Sequence, residues 1–281
     1  MPAEAAPSAW PLALLAGGLA AGGLALLAGP WWAARRRARL RRGPFPRAWQ
    51  RILQRRVPLA QQLPAPLQQR LRGLVQVFLA DKPFIGCDGQ TIDDEVRVTI
   101  AAQSCLLLLG QEGDACYPQL RQVLVYPAAF LAPQRRLLPG GVVSEEPQAL
   151  AGESWQQGQV ILAWSEVLAG AADPTDGRNV VLHEFAHQID QDGGPADGLP
   201  WRADGGQRQR FAEVMAGAYA QHQQQPSALL DAYGATAPEE FLAVATEVFF
   251  ERPQALADEA PAVYEQLAAL YRLDPARWPG H

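Results

Sequence analysis

Two histidines and a glutamate lie close together in the order His183, Glu184, His187. On a helix, residues at positions i and i+4 lie one above the other on one face, so the two imidazoles could bind a single metal ion. Glu184 points away from that shared line but lies close enough to act as a general base on a water molecule beside the ion. Zinc suits the arrangement because it takes nitrogen and oxygen ligands in a tetrahedron. The motif therefore predicts half of a zinc site on one helix.

The residues around the motif strengthen this interpretation. The chain contains four histidines, and two of them lie in this pentapeptide. The apolar residues around them would bury most sides of the helix: Val180, Val181, Leu182, Phe185, Ala186 and Ile189. Since unpaired polar groups are costly inside a protein, two buried histidines and a glutamate need a partner such as a metal ion.

A third protein ligand must come from elsewhere in the chain. The long metzincin motif would place glycine at position 190 and histidine at position 193, where this chain has Asp190 and Gly193, so that class is excluded. A downstream carboxylate remains as the option. The candidates lie on a predicted helix that starts near Thr236: Glu239, Glu240, Glu247 and Glu251.

The start of that helix separates these glutamates. Thr236 and Glu239 fit a capping box, which would engage Glu239 with the backbone of its own helix and leave Glu240 as the candidate ligand. Glu247 lies two turns from Glu240, roughly 10 Å along the helix, so the two are not expected to contact one ion. A role behind the ligands or at the rim of the site suits Glu247 better.

Three other polar side chains bear on the site. Tyr233, on the loop before the same helix, could donate a hydrogen bond to a developing oxyanion or could be a packed loop aromatic, and the residues alone favour neither. Asp190 could accept the second ring proton of His187, with a helix-end charge as the alternative. His222, at the polar end of another predicted helix, is interpreted as a solvated histidine rather than a ligand.

Several segments between Leu67 and Pro275 resemble the Mlc titration factor A family of bacterial zinc peptidases. The resemblance is carried by FIGCDGQ, VLVYP, GESWQQGQVILAW, HEFAHQID and YGATAPEEFLAVATEVFFE. The HExxHxxD pattern and the Tyr-x6-Glu element are also similar to the catalytic domain of anthrax lethal factor, which implies a related zincin-like fold.

The resemblance also implies roles for particular residues. The zinc ligands of the family fall on His183, His187 and Glu240, the catalytic base falls on Glu184, and Tyr233 lies near the metal. The resemblance does not cover residues 1 to about 60. The family's named partner, the glucose repressor Mlc, is not carried over because no residue motif for that contact is visible. A transcriptional regulator of sugar uptake is therefore a candidate partner by resemblance only.

The beginning of the chain has a different character. From Trp10 to Ala34 run 25 residues without a charge, long enough for a helix to cross a hydrocarbon layer of about 30 Å. Trp31 and Trp32 mark its end, and an arginine cluster follows directly. A cleaved signal peptide would carry its positive charge before the apolar stretch. We therefore predict a single span in a bacterial inner membrane with the catalytic domain in the cytoplasm; the alternative is an Ala/Gly-rich leader that does not insert.

The predicted organisation has four parts: an extracytoplasmic tail (1–9), a transmembrane helix (10–34), a basic Pro-rich connector (35–66) and a zinc metallopeptidase domain (67–281). The net charge of −5 argues against a nucleic-acid binder. The three cysteines match neither a disulfide framework nor a metal knuckle, so they are interpreted as reduced thiols.

The hydrophobic periodicity of the predicted domain indicates an α+β fold with helices first and a small sheet after them. Helices are predicted over 49–55, 67–80, 94–109 and 207–222, with Asp93 or Asp94 capping the third and Asp176 as candidate cap of the metal-binding helix. Strands are predicted over 122–126 and 142–150, and a hairpin over 152–155 and 159–164. The sheet is predicted to be antiparallel or mixed.

Two functions are compatible with these features. The first is a membrane-anchored zinc peptidase in which Glu184 deprotonates the attacking water, and in which Gly152, Glu153 and Ser154 supply an edge strand for an extended peptide substrate. The second is a non-catalytic binding module, stabilised by zinc, that sequesters a transcriptional regulator. Glu184 and Tyr233 favour the first, since a purely structural zinc site would be closed by a fourth ligand and needs no base.

Overall fold

A computed structural model describes residues 29–113, 115–138, 142–150, 152–155, 158–192, 196–200 and 205–279. The helices in this part of the chain are α1 (29–42), α2 (Arg47–Arg56), α3 (Leu59–Gln62), α4 (Ala65–Asp81), α5 (Asp94–Leu106), α6 (Trp164–Ala172), α7 (Val180–Asp190), α8 (Gly205–Gln224), α9 (Pro238–Glu251), α10 (Pro253–Glu259) and α11 (Pro261–Tyr271). Short 3₁₀ turns lie at Ala232–Ala235 and Pro275–Arg277. The strands are β1 (Phe84–Gly86), β2 (Gln122–Tyr126), β3 (Phe130–Leu138), β4 (Val142–Leu150), β5 (Gly152–Trp155) and β6 (Gln159–Ala163).

The main sheet has the strand order β1-β2-β6-β5. Strands β1, β2 and β6 are parallel to one another, whereas β5 runs antiparallel to β6 in the register Gly152 to Leu162 and Trp155 to Gln159. β3 and β4 form a separate antiparallel pair. The predicted hairpin over 152–164 is present as β5 and β6. The main sheet is therefore mixed and mostly parallel: of the two predicted alternatives, antiparallel or mixed, the mixed sheet is confirmed and the antiparallel sheet is wrong.

The metal-binding helix of the sequence analysis, α7, is held in the hydrophobic core by Phe185. The Phe185 ring lies 5.8 Å from the ring of Phe78 on α4 and 4.8 Å from that of Tyr117, centroid to centroid. All three side chains are fully or almost fully buried. Burial of such large aromatic side chains is a main source of stability, so α7 has a fixed position against α4 and the sheet.

The residues predicted as a connector contribute to the same core. Val57, Leu59 and Leu63, in and between α2, α3 and α4, are each at most 3% exposed. On α2, Ile52 and Leu53 are also buried. The apolar spacing of this segment therefore produces packed helices, and the folded core begins before residue 67.

No helix in the described ranges is both long enough and apolar enough to cross a membrane. Residues 1–28, which hold most of the predicted span, lie outside the described residues. In α1, which contains the end of that span, Arg36 and Arg37 pair with Asp81 at the end of α4. The predicted transmembrane helix and the inner-membrane localisation are therefore wrong for the part of the chain that the structure describes, because the arginines that suggested a membrane boundary contact the folded protein.

Candidate metal centre

Helix α7 begins at Asn179, whose side-chain oxygen accepts hydrogen bonds from the backbone N–H groups of Val181 and Leu182, both at 3.2 Å. The predicted cap, Asp176, instead accepts from the backbone of Arg178 at 2.8 Å. An asparagine cap satisfies backbone donors that a helix start leaves unpaired. The two histidines that follow are therefore carried on a helix with a well-defined first turn.

The predicted metal ligands converge where α7 packs against α9. The Nε2 atoms of His183 and His187 lie 3.0 Å and 3.4 Å from the same oxygen, Oε2 of Glu240. One ligand atom from each of the three residues lies within 4.8 Å of the other two. Two imidazole nitrogens and one carboxylate oxygen at this spacing form a donor set that fits a divalent metal such as zinc.

The charges of the cluster reinforce one another. Burial acts to raise the pKa of Glu240, but the neighbouring His183 and His187 outweigh it and hold that pKa at about 2. Burial acts to lower the pKa of His183, and the carboxylates of Glu240 and Glu247 outweigh it and raise that pKa well above its usual value. The site therefore presents an ionised carboxylate, as a metal ligand must be.

The capping box predicted at the start of α9 is wrong. The helix is capped by Ala237 without a side-chain hydrogen bond, and Pro238 occupies its first turn. The hydroxyl of Thr236 donates to the carbonyl of Tyr233 at 2.7 Å, so it does not cap the helix. Glu240 lies in the first turn, where the positive end of the helix dipole favours a carboxylate.

Glu247 contacts the second ring nitrogen of His183, on the side of the ring away from Glu240. Oε1 of Glu247 accepts from Nδ1 of His183 at 2.8 Å, and Oε2 accepts from the backbone N–H of Asn179. This contact leaves Nε2, on the Glu240 side of the ring, as the nitrogen that a metal ion would bind in place of a proton. Glu240 and Glu247, two turns apart on α9, thus hold the His183 ring from both ends.

We expect Glu247→Ala to weaken zinc binding by about 10- to 100-fold, the usual effect of removing a partner that orients a histidine ligand. The Glu247→Gln variant is the matched control, since its side-chain oxygen can still accept from His183, and it should bind zinc more tightly than the alanine variant. Competition against a chromogenic chelator measures both affinities. Equal zinc affinity in Glu247→Ala and the unmodified protein would contradict the orienting role.

Asn179 extends this contact into a buried polar network. Its side-chain amide donates to Gln103 at 2.8 Å and to Oε1 of Glu251 at 3.0 Å. Glu251 is only 2% exposed, and burial raises its pKa to about 8. Glu251 is therefore protonated and uncharged at neutral pH, which removes the cost of burying a second charged carboxylate close to Glu247.

The raised pKa of Glu251 predicts a pH-dependent stability. Below its ordinary pKa of 4.5 the carboxyl is protonated in both the folded and the unfolded chain. Between 4.5 and about 8 only the folded chain keeps the proton, so this group makes the folded state less stable as the pH rises. Glutamine cannot titrate, so Glu251→Gln does not lose this stability. The unfolding free energy of the variant minus that of the unmodified protein should increase by up to about 1.4 kcal/mol for each pH unit in that window.

Urea unfolding of EDTA-treated protein at a series of pH values measures this difference in unfolding free energy. Glu265→Gln is the control, because Glu265 lies on the surface with a 66% exposed side chain and should show a constant difference across the series. A Glu251→Gln difference that does not change with pH would show that Glu251 has an ordinary pKa.

Two further predicted residues lie beside the cluster. Glu184, next to His183 on α7, is 5% exposed. The ring of Tyr233, on the 3₁₀ turn before α9, lies 5.9 Å from that of His183, centroid to centroid. Partial burial and the carboxylates of Glu240 and Glu184 raise the pKa of Tyr233 to about 12, so its hydroxyl keeps its proton. The site thus has a candidate proton acceptor and a candidate hydrogen-bond donor.

The turn that carries Tyr233 is held by Asp231 and His222. Asp231 Oδ1 accepts from the backbone of Tyr233 at 2.9 Å, and the carbonyl of Asp231 accepts from Nε2 of His222 at 3.1 Å. Nδ1 of His222 accepts from the backbone of Ser227 at 3.2 Å. His222 is 3% exposed, so its interpretation as a solvated histidine is wrong. It lies outside the metal cluster and fixes a loop instead.

Asp190 lies at the end of α7 and accepts a hydrogen bond from the backbone of Gly198 at 2.7 Å through Oδ2. Burial raises its pKa to about 6. Its other oxygen, Oδ1, is buried without a hydrogen-bond partner in the described ranges. The contact that the structure shows therefore fastens the following loop to α7, and the hydrogen bond from His187 stays a prediction.

The predicted substrate strand, β5, lies at one edge of the main sheet. It pairs with β6 on one side and packs against α7. Gly152, Glu153 and Ser154 thus lie on the strand next to α7, which carries His183 and His187. An edge strand has backbone N–H and C=O groups that are available to another extended chain.

Comparison with known proteins agrees with this geometry. Residues 31–272 match the protein family described as glucose-regulated metallo-peptidase M90. The chain is 41% identical over 251 residues to an uncharacterized protein of Synechocystis, covering 88% of this chain and 91% of that protein. It is also 32% identical over 227 residues to the Mlc titration factor A of Salmonella agona, covering 79% of this chain and 84% of that protein.

Proposed function

The chain belongs to the glucose-regulated metallopeptidase family M90, and on that premise we propose that it is a zinc-dependent peptidase that hydrolyses peptide bonds. The convergence of His183, His187 and Glu240 beside the buried carboxylate of Glu184 carries this proposal. In the described ranges the cluster has three ligands, the number typical of a catalytic zinc site, whereas structural zinc sites are closed by four.

Each side chain of the site has a distinct role in the proposed reaction. A zinc ion held by the three ligands would act as a Lewis acid and lower the pKa of a coordinated water to about 7. Glu184 takes a proton from the attacking water and later delivers it to the departing amine. Tyr233, which stays protonated because its pKa is about 12, donates a hydrogen bond to the carbonyl oxygen as that oxygen gains negative charge.

The proposed substrate is an extended peptide that pairs with β5. Backbone hydrogen bonds from Gly152, Glu153 and Ser154 would hold the peptide without reading its side chains, as in other cases of strand addition to a sheet edge. Because β5 packs against α7, a peptide in this position passes beside the metal-binding helix. Backbone pairing with β5 would therefore position the scissile bond of the peptide whatever its side chains are, which suits a peptidase.

A regulatory partner is a separate proposal. The relatives named Mlc titration factor A suggest a transcriptional regulator as the kind of partner to test, and this link rests on the name of the relatives alone. A module that only sequestered such a partner would have no use for Glu184 beside the metal ligands. Catalysis is therefore the function that the site supports best.

Zinc content and turnover of a peptide library, measured on the same full-length preparation, test the proposal. We expect one zinc per chain, loss of turnover on treatment with a chelator, and recovery when zinc is added back. A protein that binds zinc but cleaves no peptide would favour the binding module. A protein that binds no zinc would refute the metal site itself.

A further inference from the structure

A cavity of about 540 Å³ lies between α1 and α4, on elements that contribute nothing to the metal cluster. Its walls carry the side chains of four arginines, two from the end of α1 and two from α4: Arg41, Arg42, Arg70 and Arg72. No aspartate or glutamate from the described part of the chain lines it. The cavity therefore concentrates positive charge in one concave place, in a chain whose net charge is −5.

A glycine lets the two basic helices approach. A Cβ atom at Gly73 would lie 3.0 Å from Cγ of Arg41, so the missing side chain leaves room for the stem of Arg41 to lie across α4. A side chain at this position would force the stem of Arg41 to shift. The close contact brings the arginines of both helices to one cavity.

Among the residues that the structure describes, three of the four arginines have no acidic partner. Arg37, by comparison, pairs with Asp81 at 3.8 Å, whereas Arg42, Arg70 and Arg72 form no ion pair within the described ranges. These three cations repel one another, at a cost that a bound anion would reduce. The cluster therefore has the charge balance of an anion site.

Arg70 gives a second indication of a missing acceptor. One of its terminal nitrogens donates to the carbonyl of Gln111, but its Nε is buried and has no hydrogen-bond partner within the described part of the chain. Burial and the neighbouring Arg41 lower the pKa of Arg70. A buried donor without an acceptor costs free energy, and an anion in the cavity would offset the uncompensated charge of Arg70.

The first turns of α4 also face the cavity. Pro66 and Gln69 line it, and α4 has neither an acidic residue in its first turn nor a side-chain cap. The start of a helix carries partial positive charge, which favours anions. This start of α4 thus adds to the attraction of the arginines.

We propose that this cavity binds a small molecule carrying two or more negative charges on phosphate groups. Guanidinium groups match phosphate oxygens with paired hydrogen bonds, and several of them together favour a ligand with more than one phosphate charge. Phe45 gives the cavity one apolar wall for the rest of such a ligand. Its volume lies in the range of about 300–1,000 Å³ that is typical of small-molecule sites.

Isothermal titration calorimetry of the full chain with inorganic pyrophosphate at low ionic strength tests the proposal. Pyrophosphate should bind more tightly than inorganic phosphate, because it engages more of the arginines. Arg42→Gln and Arg72→Gln, separately and together, should weaken pyrophosphate binding, by at least tenfold for the pair. Both side chains line the cavity and form no ion pair with a described residue, so thermal unfolding should show that the variants keep the fold.

Two control variants identify the site of binding. Arg39→Gln removes the same charge from an exposed position on α1 that does not line the cavity, and should change the affinity by less than twofold. Glu240→Ala should leave the affinity unchanged, because pyrophosphate would not act through a metal at the histidine cluster. None of these measurements depends on peptidase activity.

Three results would overturn the proposal. Arg39→Gln could weaken binding as much as Arg72→Gln, which would indicate a diffuse basic surface. Binding could disappear only in Glu240→Ala, which would place the anion on the metal. The chain could bind vesicles of phosphatidylglycerol through these arginines without binding pyrophosphate, which would show that the cavity does not accept a soluble phosphate.

Discussion

Replacing Glu184 by glutamine is expected to abolish peptide hydrolysis while leaving the fold and the zinc content intact. Glutamine has the size and shape of glutamate, so the 5% exposed position next to His183 is filled as before. The amide cannot accept a proton from the attacking water. Losing a positioned base should lower kcat by about 10²- to 10⁴-fold. Zinc affinity should barely change, because Glu184 is not among the three converging ligands.

The measurement pairs a peptide-cleavage assay with zinc analysis of the same sample. Tyr233→Phe is the comparison variant, since it removes one hydroxyl beside the cluster without altering a proton acceptor, and it should also retain zinc. A sequestering module would show no functional difference between Glu184→Gln and the unmodified protein. Cleavage by Glu184→Gln at a near normal rate would therefore remove Glu184 from the mechanism and favour the binding module.

Local sequence patterns predict the first half of the site well. The spacing of His183 and His187 is a property of one helix turn, so it follows from the helix period alone. The apolar residues between them predict a buried helix, and Phe185 indeed lies in the core. Asp93, one of the two predicted caps of α5, accepts from the backbone of Val96 at 2.9 Å. These features depend on neighbours within a few residues, which the sequence displays directly.

Contacts between distant segments are harder to predict from the sequence. Two arguments predict Glu240 as a ligand, the family resemblance and a capping box that does not form, and Glu240 lies at the cluster because α9 packs on α7. The hydrogen bond between Asn179 and Glu247 joins residues 68 positions apart. A periodic sequence pattern predicts contacts within one helix or strand, so it does not indicate a pair this far apart. An asparagine just before an apolar helix is typical of a helix cap. This pattern would have indicated Asn179, rather than Asp176, as the cap of α7.

The sheet and the N-terminal region show the same limit. β1 has only three residues, and β3 contains Pro133 and two arginines, so neither displays a clear alternating pattern. Their pairing depends on which segments the helices bring together. A cluster of arginines after an apolar stretch is compatible with a membrane boundary and also with contacts to the folded protein, and the composition does not distinguish the two. In the folded chain Arg36 and Arg37 contact Asp81.

Replacing Glu240 by alanine is expected to eliminate stoichiometric zinc binding, and catalysis with it. Glu240 supplies the one carboxylate oxygen that faces both Nε2 atoms, at 3.0 Å from His183 and 3.4 Å from His187. Without it the site keeps two imidazoles, fewer than the three protein ligands of catalytic zinc sites. Added zinc at 100 times its Kd should stabilise the unmodified protein by about 2.7 kcal/mol, and should leave the variant nearly unchanged.

Elemental analysis and thermal unfolding with and without added zinc measure this loss. Glu239→Ala is the matched control, because it removes the neighbouring glutamate from the same helix turn but not from the cluster, and it should bind zinc normally. Glu247→Ala should fall between the two, since Glu247 orients His183 without facing the metal position. If zinc survived in Glu240→Ala and disappeared in Glu247→Ala, Glu247 and not Glu240 would be the third ligand, and the metal would bind His183 on its Nδ1 side, where Glu247 lies 2.8 Å from the ring.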